Sequence, residues 1–295
     1  MDLSKVAEVG EVGDVVGESP RWDDRSAELI WVDAERPILH TYSPATGRTT
    51  TSVTDHVVTS VALGPDGDLF GTAHDGIRRL HRTPTTGLEV GELIQGWRAP
   101  VGCAVNDSAV DPVGRLLVGF GSEETPGLGE VRTLSLITGA AGVIKTGMFL
   151  PNGIAWSPTG DRMYLADSFD RVVYAIEYDA ATGRTGRAEE FLRSQDGEVP
   201  DGLTVDAAGD VWVAFWGGGH VSQFRPDGRL ERRLDLPVSQ VASCVFGGPD
   251  LADLYVTTAS YGVDEDGAGS LFVAHGIGRG LPSGIFQLAS AQGEQ

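Results

Sequence analysis

The stretches Pro151-Asn152-Gly153-Ile154-Ala155-Trp156-Ser157-Pro158-Thr159-Gly160-Asp161-Arg162-Met163-Tyr164 and Pro200-Asp201-Gly202-Leu203-Thr204-Val205-Asp206-Ala207-Ala208-Gly209-Asp210-Val211-Trp212 are two copies of one pattern. A polar residue opens a short apolar run, a glycine turn reverses the chain, and a second apolar run follows. Working outward, Pro65-Asp66-Gly67-Asp68-Leu69-Phe70 and Asp111-Pro112-Val113-Gly114-Arg115-Leu116 repeat the turn. The turn glycines 67, 114, 160 and 209 are spaced 47, 46 and 49 residues apart. Degenerate copies flank them at Trp22-Asp23-Asp24 before Leu29-Ile30-Trp31, and at Gly248-Pro249-Asp250 before Leu254-Tyr255. A second kind of turn closes the units at Pro44–Gly47, Pro84–Gly87, Ala180–Gly183 and Pro226–Gly228.

Each unit reads as strand, glycine turn, strand, loop, strand, turn, strand. Four short strands repeated every 40–50 residues or so mark a β-propeller blade, and six units give an all-β, six-bladed β-propeller occupying residues 1–295 as a single domain. Part of Val6–Val16 is placed to add a strand to the last blade. The composition agrees. Glycine makes up 41 of the 295 residues, about twice ordinary usage, and it weakens helices. The short runs Leu29–Val32, Leu116–Val118, Met163–Leu165, Val211–Ala214 and Leu254–Thr257 are of the kind that fills strands.

Charge narrows the partners. With 22 Lys and Arg against 42 Asp and Glu, the formal net charge is −20, which repels phosphate backbones and anionic lipid. A small-molecule substrate is expected, with no nucleic acid and no membrane. The uncharged, apolar-leaning run Thr133–Ile144 is only 12 residues and too short to span a bilayer. Met1–Lys5 does not open a secretory signal, and two cysteines, Cys103 and Cys244, make no disulfide framework. A cytoplasmic location is expected.

Aligning the units brings positions 18, 59, 106, 152, 201 and 243 into one register, at the start of each innermost strand and around one mouth of the central channel. Four of the six are Glu18, Asn106, Asn152 and Asp201. Oxygen-only ligands converging on one axis suit a hard divalent cation. Pro-Asn-Gly and Pro-Asp-Gly are also good turn formers, but turn chemistry does not explain why polar oxygens recur at the axis-facing register of several blades.

These motifs, with Gly17-Glu18-Ser19-Pro20-Arg21-Trp22, Asn106-Asp107, Tyr164-Leu165-Ala166-Asp167-Ser168 and Val211–Gly218, occur in an order that resembles the senescence-marker-protein/gluconolactonase/luciferin-regenerating-enzyme family. The resemblance implies a cytosolic lactone hydrolase with one divalent metal ion, Ca²⁺ first among Ca²⁺, Zn²⁺, Mg²⁺ and Mn²⁺, opening a lactone by metal-activated water. It implies Glu18, Asn152 and Asp201 as metal ligands, and Asn106 and Glu124 as substrate-binding residues. Asp201 is also the expected catalytic base, since a carboxylate can hold a metal with one oxygen and take a proton with the other. Two positions depart from the family pattern: Ala104 stands where an arginine is usual and Ser108 where a glycine is usual. An altered, less polar substrate is therefore expected. The alternatives are a relative using the same site for other ester-hydrolysis or ring-opening chemistry on a specialised metabolite, and a non-catalytic metal-binding propeller. No nucleophile elbow, His-Glu-x-x-His or P-loop is present, and the six histidines lack ligand spacing. His220 is expected at a turn or strand edge, Cys103 as a buried structural thiol rather than a site residue, and either Trp97 or Trp216, both in loop-like segments, as a pocket wall.

Overall fold

The computed structural model describes residues 6–83, 87–134 and 141–287. Strand β1 (Val6–Gly10) is followed by β2 (Gly17–Asp23), β3 (Glu28–Asp33), β4 (Ile38–Ser43) and β5 (Arg48–Val53), which form the first complete sheet. The second sheet is β6 (Val58–Leu63), β7 (Leu69–Ala73), β8 (Gly76–Thr83) and β9 (Gly87–Gly96). The third is β10 (Ala104–Val110), β11 (Leu116–Gly121), β12 (Gly129–Leu134) and β13 (Ala141–Met148). The fourth is β14 (Pro151–Trp156), β15 (Arg162–Asp167), β16 (Val172–Asp179) and β17 (Arg184–Arg193). The fifth is β18 (Val199–Val205), β19 (Val211–Trp216), β20 (His220–Phe224) and β21 (Leu230–Asp235). The sixth joins β22 (Val241–Gly247), β23 (Asp253–Thr258) and β24 (Leu271–Ala274) to β1. This is a six-bladed β-propeller whose ring is closed by its own N-terminal strand, with Val6 opposite Ala274 and Glu8 opposite Phe272. Closure of this kind puts the first and last strands of the ring in one sheet, and each blade keeps only a short outer edge.

The turn glycines behave as their spacing requires: Gly67, Gly114, Gly160 and Gly209 have φ of 88°, 92°, 71° and 88°, a region that disfavours any residue with a Cβ. Of the closing turns, residues 84–86 lie outside the described residues, as do 135–140 of the run at 133–144 and the N-terminal residues 1–5.

Apolar side chains on facing sheets form a cluster at each of the six junctions between blades. Between blades five and six, Trp212 is fully buried against Phe246 with ring centroids 5.5 Å apart at 87°. Its indole N–H donates to Asp206 Oδ2 at 2.9 Å. Trp212→Ala both opens a cavity and strips a buried carboxylate of a donor, so it should destabilise the fold by about 3–5 kcal/mol, measurable as a lowered urea midpoint.

All six inner strands run the same way along the channel, so one mouth is lined by their first residues and the other by their last. Segment 281–287 crosses the second mouth. There Phe286 is buried edge-on to Phe70, its N–H donating to the Leu63 carbonyl at 2.7 Å. Among the described residues, no helix is long and apolar enough to cross a membrane.

Candidate active site

Each inner strand breaks its ladder near its start. The pairing shifts between Glu18 and Arg21, Val58 and Ser60, Val105 and Ser108, Pro151 and Ile154, Pro200 and Leu203, and Val241 and Ser243. These are β-bulges, which re-aim side chains that strict alternation would send elsewhere. Asn106, Asn152 and Asp201 occupy the first bulged position of their blades, and Thr59 the single bulged position of its own. Two members of the sequence register are corrected. Glu18 sits one residue earlier, still paired with Val32, and the residue after it, Ser19, takes φ of 52°. Ser243 lies just beyond its bulge, paired with Thr257, and its Oγ packs beside Gly202.

The Pro-Asn-Gly and Pro-Asp-Gly frames are therefore strand bulges rather than chain-reversing turns. Their glycines are needed for approach. A Cβ on Gly153 would stand 2.6 Å from the Asp201 carbonyl oxygen, and one on Gly202 would stand 2.0 Å from Ser243 Oγ. Neighbouring inner strands can come this close only without side chains there, and that closeness brings Asn152 to Asp201.

A cavity of about 830 Å³ opens at this mouth, lined among others by Glu18, Thr59, Asn106, Asn152, Asp201 and Glu124. All five expected site residues are thus brought together. Asn152 and Asp201 are buried, and Asn152 Nδ2 donates both to Asp201 Oδ1 and, at 3.2 Å, to Ser168 Oγ. The other end of the amide, Asn152 Oδ1, is buried and has no hydrogen-bond partner. Glu18 accepts the Ser19 N–H at 3.0 Å. Asn106 Nδ2 donates to the Pro151 carbonyl at 3.0 Å, fixing it to the cavity wall. Glu124 is exposed on the loop after β11, where Ser122 Oγ accepts its N–H at 3.4 Å.

The electrostatics are those of crowded acids. Burial, then the carboxylate of Asp107, pushes Glu18 up to about 8. Burial, then Glu18 and Asp107, holds Asp201 well above the usual carboxylate range. Sequence alternation does not single out Asp107, because a residue next to an axis-facing Asn106 should point away; the two-residue bulge brings it to the cavity as well. Burial raises its carboxyl too, against the opposing pull of Arg21 4.0 Å away. Arg21 spans the channel from blade one to blade three, Nη2 donating to the Ser108 carbonyl at 2.7 Å and Nη1 to that of Pro20 at 2.9 Å.

Two further carboxylates, on strands flanking the site, hold its loops. Buried Asp33 accepts the N–H groups of Val15 and Val16 at 2.9 and 3.4 Å, just before Glu18. Buried Asp167 accepts those of Phe149 and Leu150, both at 2.9 Å, just before Asn152. The Ala-Asp-Ser motif at Asp167 was the signal for the second.

Ala104 faces the cavity, whereas Ser108 is buried with its Oγ against Ser60 Oγ. The Ser108 departure thus belongs to the channel wall. Trp216 lines the cavity, from the end of β19 rather than from a loop; Trp97 does not, and packs on Phe120 with centroids 5.8 Å apart. Cys103 is half-buried at the cavity wall rather than buried, while Cys244 is buried away from this cavity. His220 begins β20, stacks on Phe215 and stays out of the cavity, which His74 enters instead. Among the described residues, no group of three or more His, Cys, Asp or Glu side chains is disposed to hold a metal; the set in question has two carboxylates and an amide.

The model of the SMP-30/gluconolactonase/LRE-like region matches residues 16–260. The chain belongs to the SMP-30/gluconolactonase/LRE-like family. It is 36% identical to a pentonolactonase of Haloferax volcanii over 86% of this chain and 84% of that protein. It is 32% identical to the regucalcin of Gallus gallus over 96% and 98% of the two chains. Among solved structures, a calcium-binding regucalcin from Agrobacterium tumefaciens superposes with a TM-score of 0.86 at 27% identity, covering 95% of this chain and 97% of the other. A luciferin-regenerating enzyme superposes with a TM-score of 0.87 at 25% identity over 96% and 99%. Family members so named span both lactone hydrolysis and calcium binding, which focuses attention on the oxygen-lined mouth.

Proposed function

We propose that this protein is a hydrolase that opens a lactone ring, using one divalent cation held by Glu18, Asn152 and Asp201. The observation that carries the reading is Asn152 Oδ1, a buried amide oxygen with no donor, set beside two carboxylates that repel each other. A buried acceptor without a partner costs free energy, and the set asks for a cation rather than another acid. All three donors are oxygens, which suits a hard cation such as Ca²⁺, Mg²⁺ or Mn²⁺. The calcium-binding relative supports Ca²⁺ among these. When bound, the cation supplies a Lewis acid for charge developing on a carbonyl oxygen and makes water more acidic.

The chain's own groups do the rest. Asp201 takes a proton from the attacking water as the new C–O bond forms. It returns that proton to the ring oxygen as the acyl–oxygen bond breaks, leaving a hydroxy acid. Asn106, anchored on Pro151, orients the substrate at the wall, and Glu124 accepts from its hydroxyl groups at the rim. Glu18 is next in line as base; Asn152, an amide, is not basic. We take residues 1–295 as one propeller domain, because β1 and β24 close the same sheet. The acidic balance supports a small-molecule partner, and two cysteines without a disulfide framework support a cytoplasmic protein.

The test is a panel of sugar and aliphatic lactones assayed with a pH indicator, before and after metal removal with EDTA. Turnover lost on chelation and restored by a divalent cation is expected. Gluconolactone should be a poor member of the panel. Ala104 supplies no guanidinium, and a missing hydrogen-bonding partner can account for several orders of magnitude in discrimination. If gluconolactone proved the best substrate by a wide margin, the missing arginine would have no such consequence.

A further inference from the structure

The cavity wall contains no Lys or Arg among the described residues, but it carries Glu35, Glu123 and Glu124 at its rim. All three are exposed and none makes an ion pair among the described residues. Their loops are nonetheless fixed. The Glu35 N–H donates to Asp33 at 3.0 Å, and Ser122 Oγ accepts the N–H groups of Glu124 and Thr125 at 3.4 and 3.1 Å. The nearest cation in sequence, Arg36, is engaged elsewhere, by Asp33 at 2.6 Å and by the Gly13 carbonyl at 2.7 Å.

Deeper in the site, Arg21 offsets Asp107, and a divalent cation would offset Glu18 and Asp201. Among the described residues, no cationic side chain pairs with the rim carboxylates. From this we infer that the rim is an anion filter: the substrates are uncharged lactones, and lactones that carry a second, free carboxylate are rejected. This rests on the hydrolase reading above and goes further by assigning the charge of the substrate and three residues that select it. The field has a second consequence. Ring opening turns an uncharged lactone into a hydroxy-acid anion, so the same carboxylates that admit the substrate repel the product and favour its departure.

A single-sign cleft changes the local concentration of a charged ligand by about 10–10³-fold, and salt screens the effect. The test compares three ligands on the metal-loaded enzyme: an uncharged pentonolactone, a monolactone of an aldaric acid, and the methyl ester of that monolactone, which has nearly the same shape without the charge. At about 0.01 M ionic strength, where the screening length is about 30 Å, kcat/KM for the anion should be at least about tenfold below that for its ester. The gap should close as salt rises toward about 1 M, where that length is about 3 Å. It should also close or invert in the double variant Glu35→Lys/Glu123→Lys. Equal kcat/KM for anion and ester at low salt would overturn the inference alone. So would a gap that neither salt nor the double variant moves, since shape and not charge would then discriminate. Absence of turnover on every lactone would overturn the hydrolase reading together with the filter.

Discussion

In the Asp201→Asn enzyme, assayed with the divalent cation at saturation, kcat is expected to fall by about 10²–10⁴-fold, the scale on which a general base acts. The substitution keeps the size of the side chain and an oxygen that can ligate, but removes its basicity. Asn152 Nδ2 donates to Asp201 Oδ1, so the amide replacement can preserve that contact by presenting its own oxygen. Raising the metal concentration offsets weakened binding and isolates the proton-transfer defect. KM should change far less than kcat. Near-normal kcat under these conditions would move the base to another group, with Glu18 next in line.

Metal binding should strengthen steeply with pH. Burial first, and the carboxylate of Asp107 second, push Glu18 up to about 8 in the metal-free protein. Below that pH the side chain carries a proton that a cation must displace, so apparent affinity falls as the solution is acidified. Each displaced proton changes the affinity by about tenfold per pH unit. Asp201, raised in the same direction by burial and by Glu18, adds to the dependence. The sign for stability is opposite. Glu18 is raised above its ordinary value of 4.5, so its contribution to the metal-free fold is fully present below that value. It is lost as pH rises through about 8. Metal-free protein should thus lose stability toward alkaline pH while the metal-loaded form does not. Calorimetry in buffers of different ionisation enthalpy counts the protons released; affinity independent of pH, with no proton release, would contradict this.

The ring was legible because its punctuation is glycine. A turn at positive φ leaves a residue that little else can replace, and four such turns at nearly equal spacing expose the period without any knowledge of packing. The runs between them are strands because their partners lie one turn away, so local pattern and global fold agree. Glu18, Asn106, Asn152 and Asp201 followed from the same symmetry. What the symmetry did not give are the residues that depend on departures from it. The bulges leave one residue unpaired in blades two and six but two in the other four, so counting along the chain misplaced Ser243 and gave no reason to look at Asp107. Arg21 is half-buried mid-channel because it reaches a carbonyl two blades away, a contact that no local pattern records. His74 and Glu35 reach the cavity from turns between strands, where spacing carries no information on direction.

The central claim is that Glu18, Asn152 and Asp201 form one cation site. It is tested most directly by calorimetric titration of Ca²⁺ into metal-stripped protein at pH 8, wild type beside Asp201→Ala. The account predicts one ion per chain for the wild type and no measurable binding for the variant, with a matching thermal unfolding profile in the absence of metal to show that the variant is folded. Unchanged stoichiometry and affinity in Asp201→Ala would contradict it.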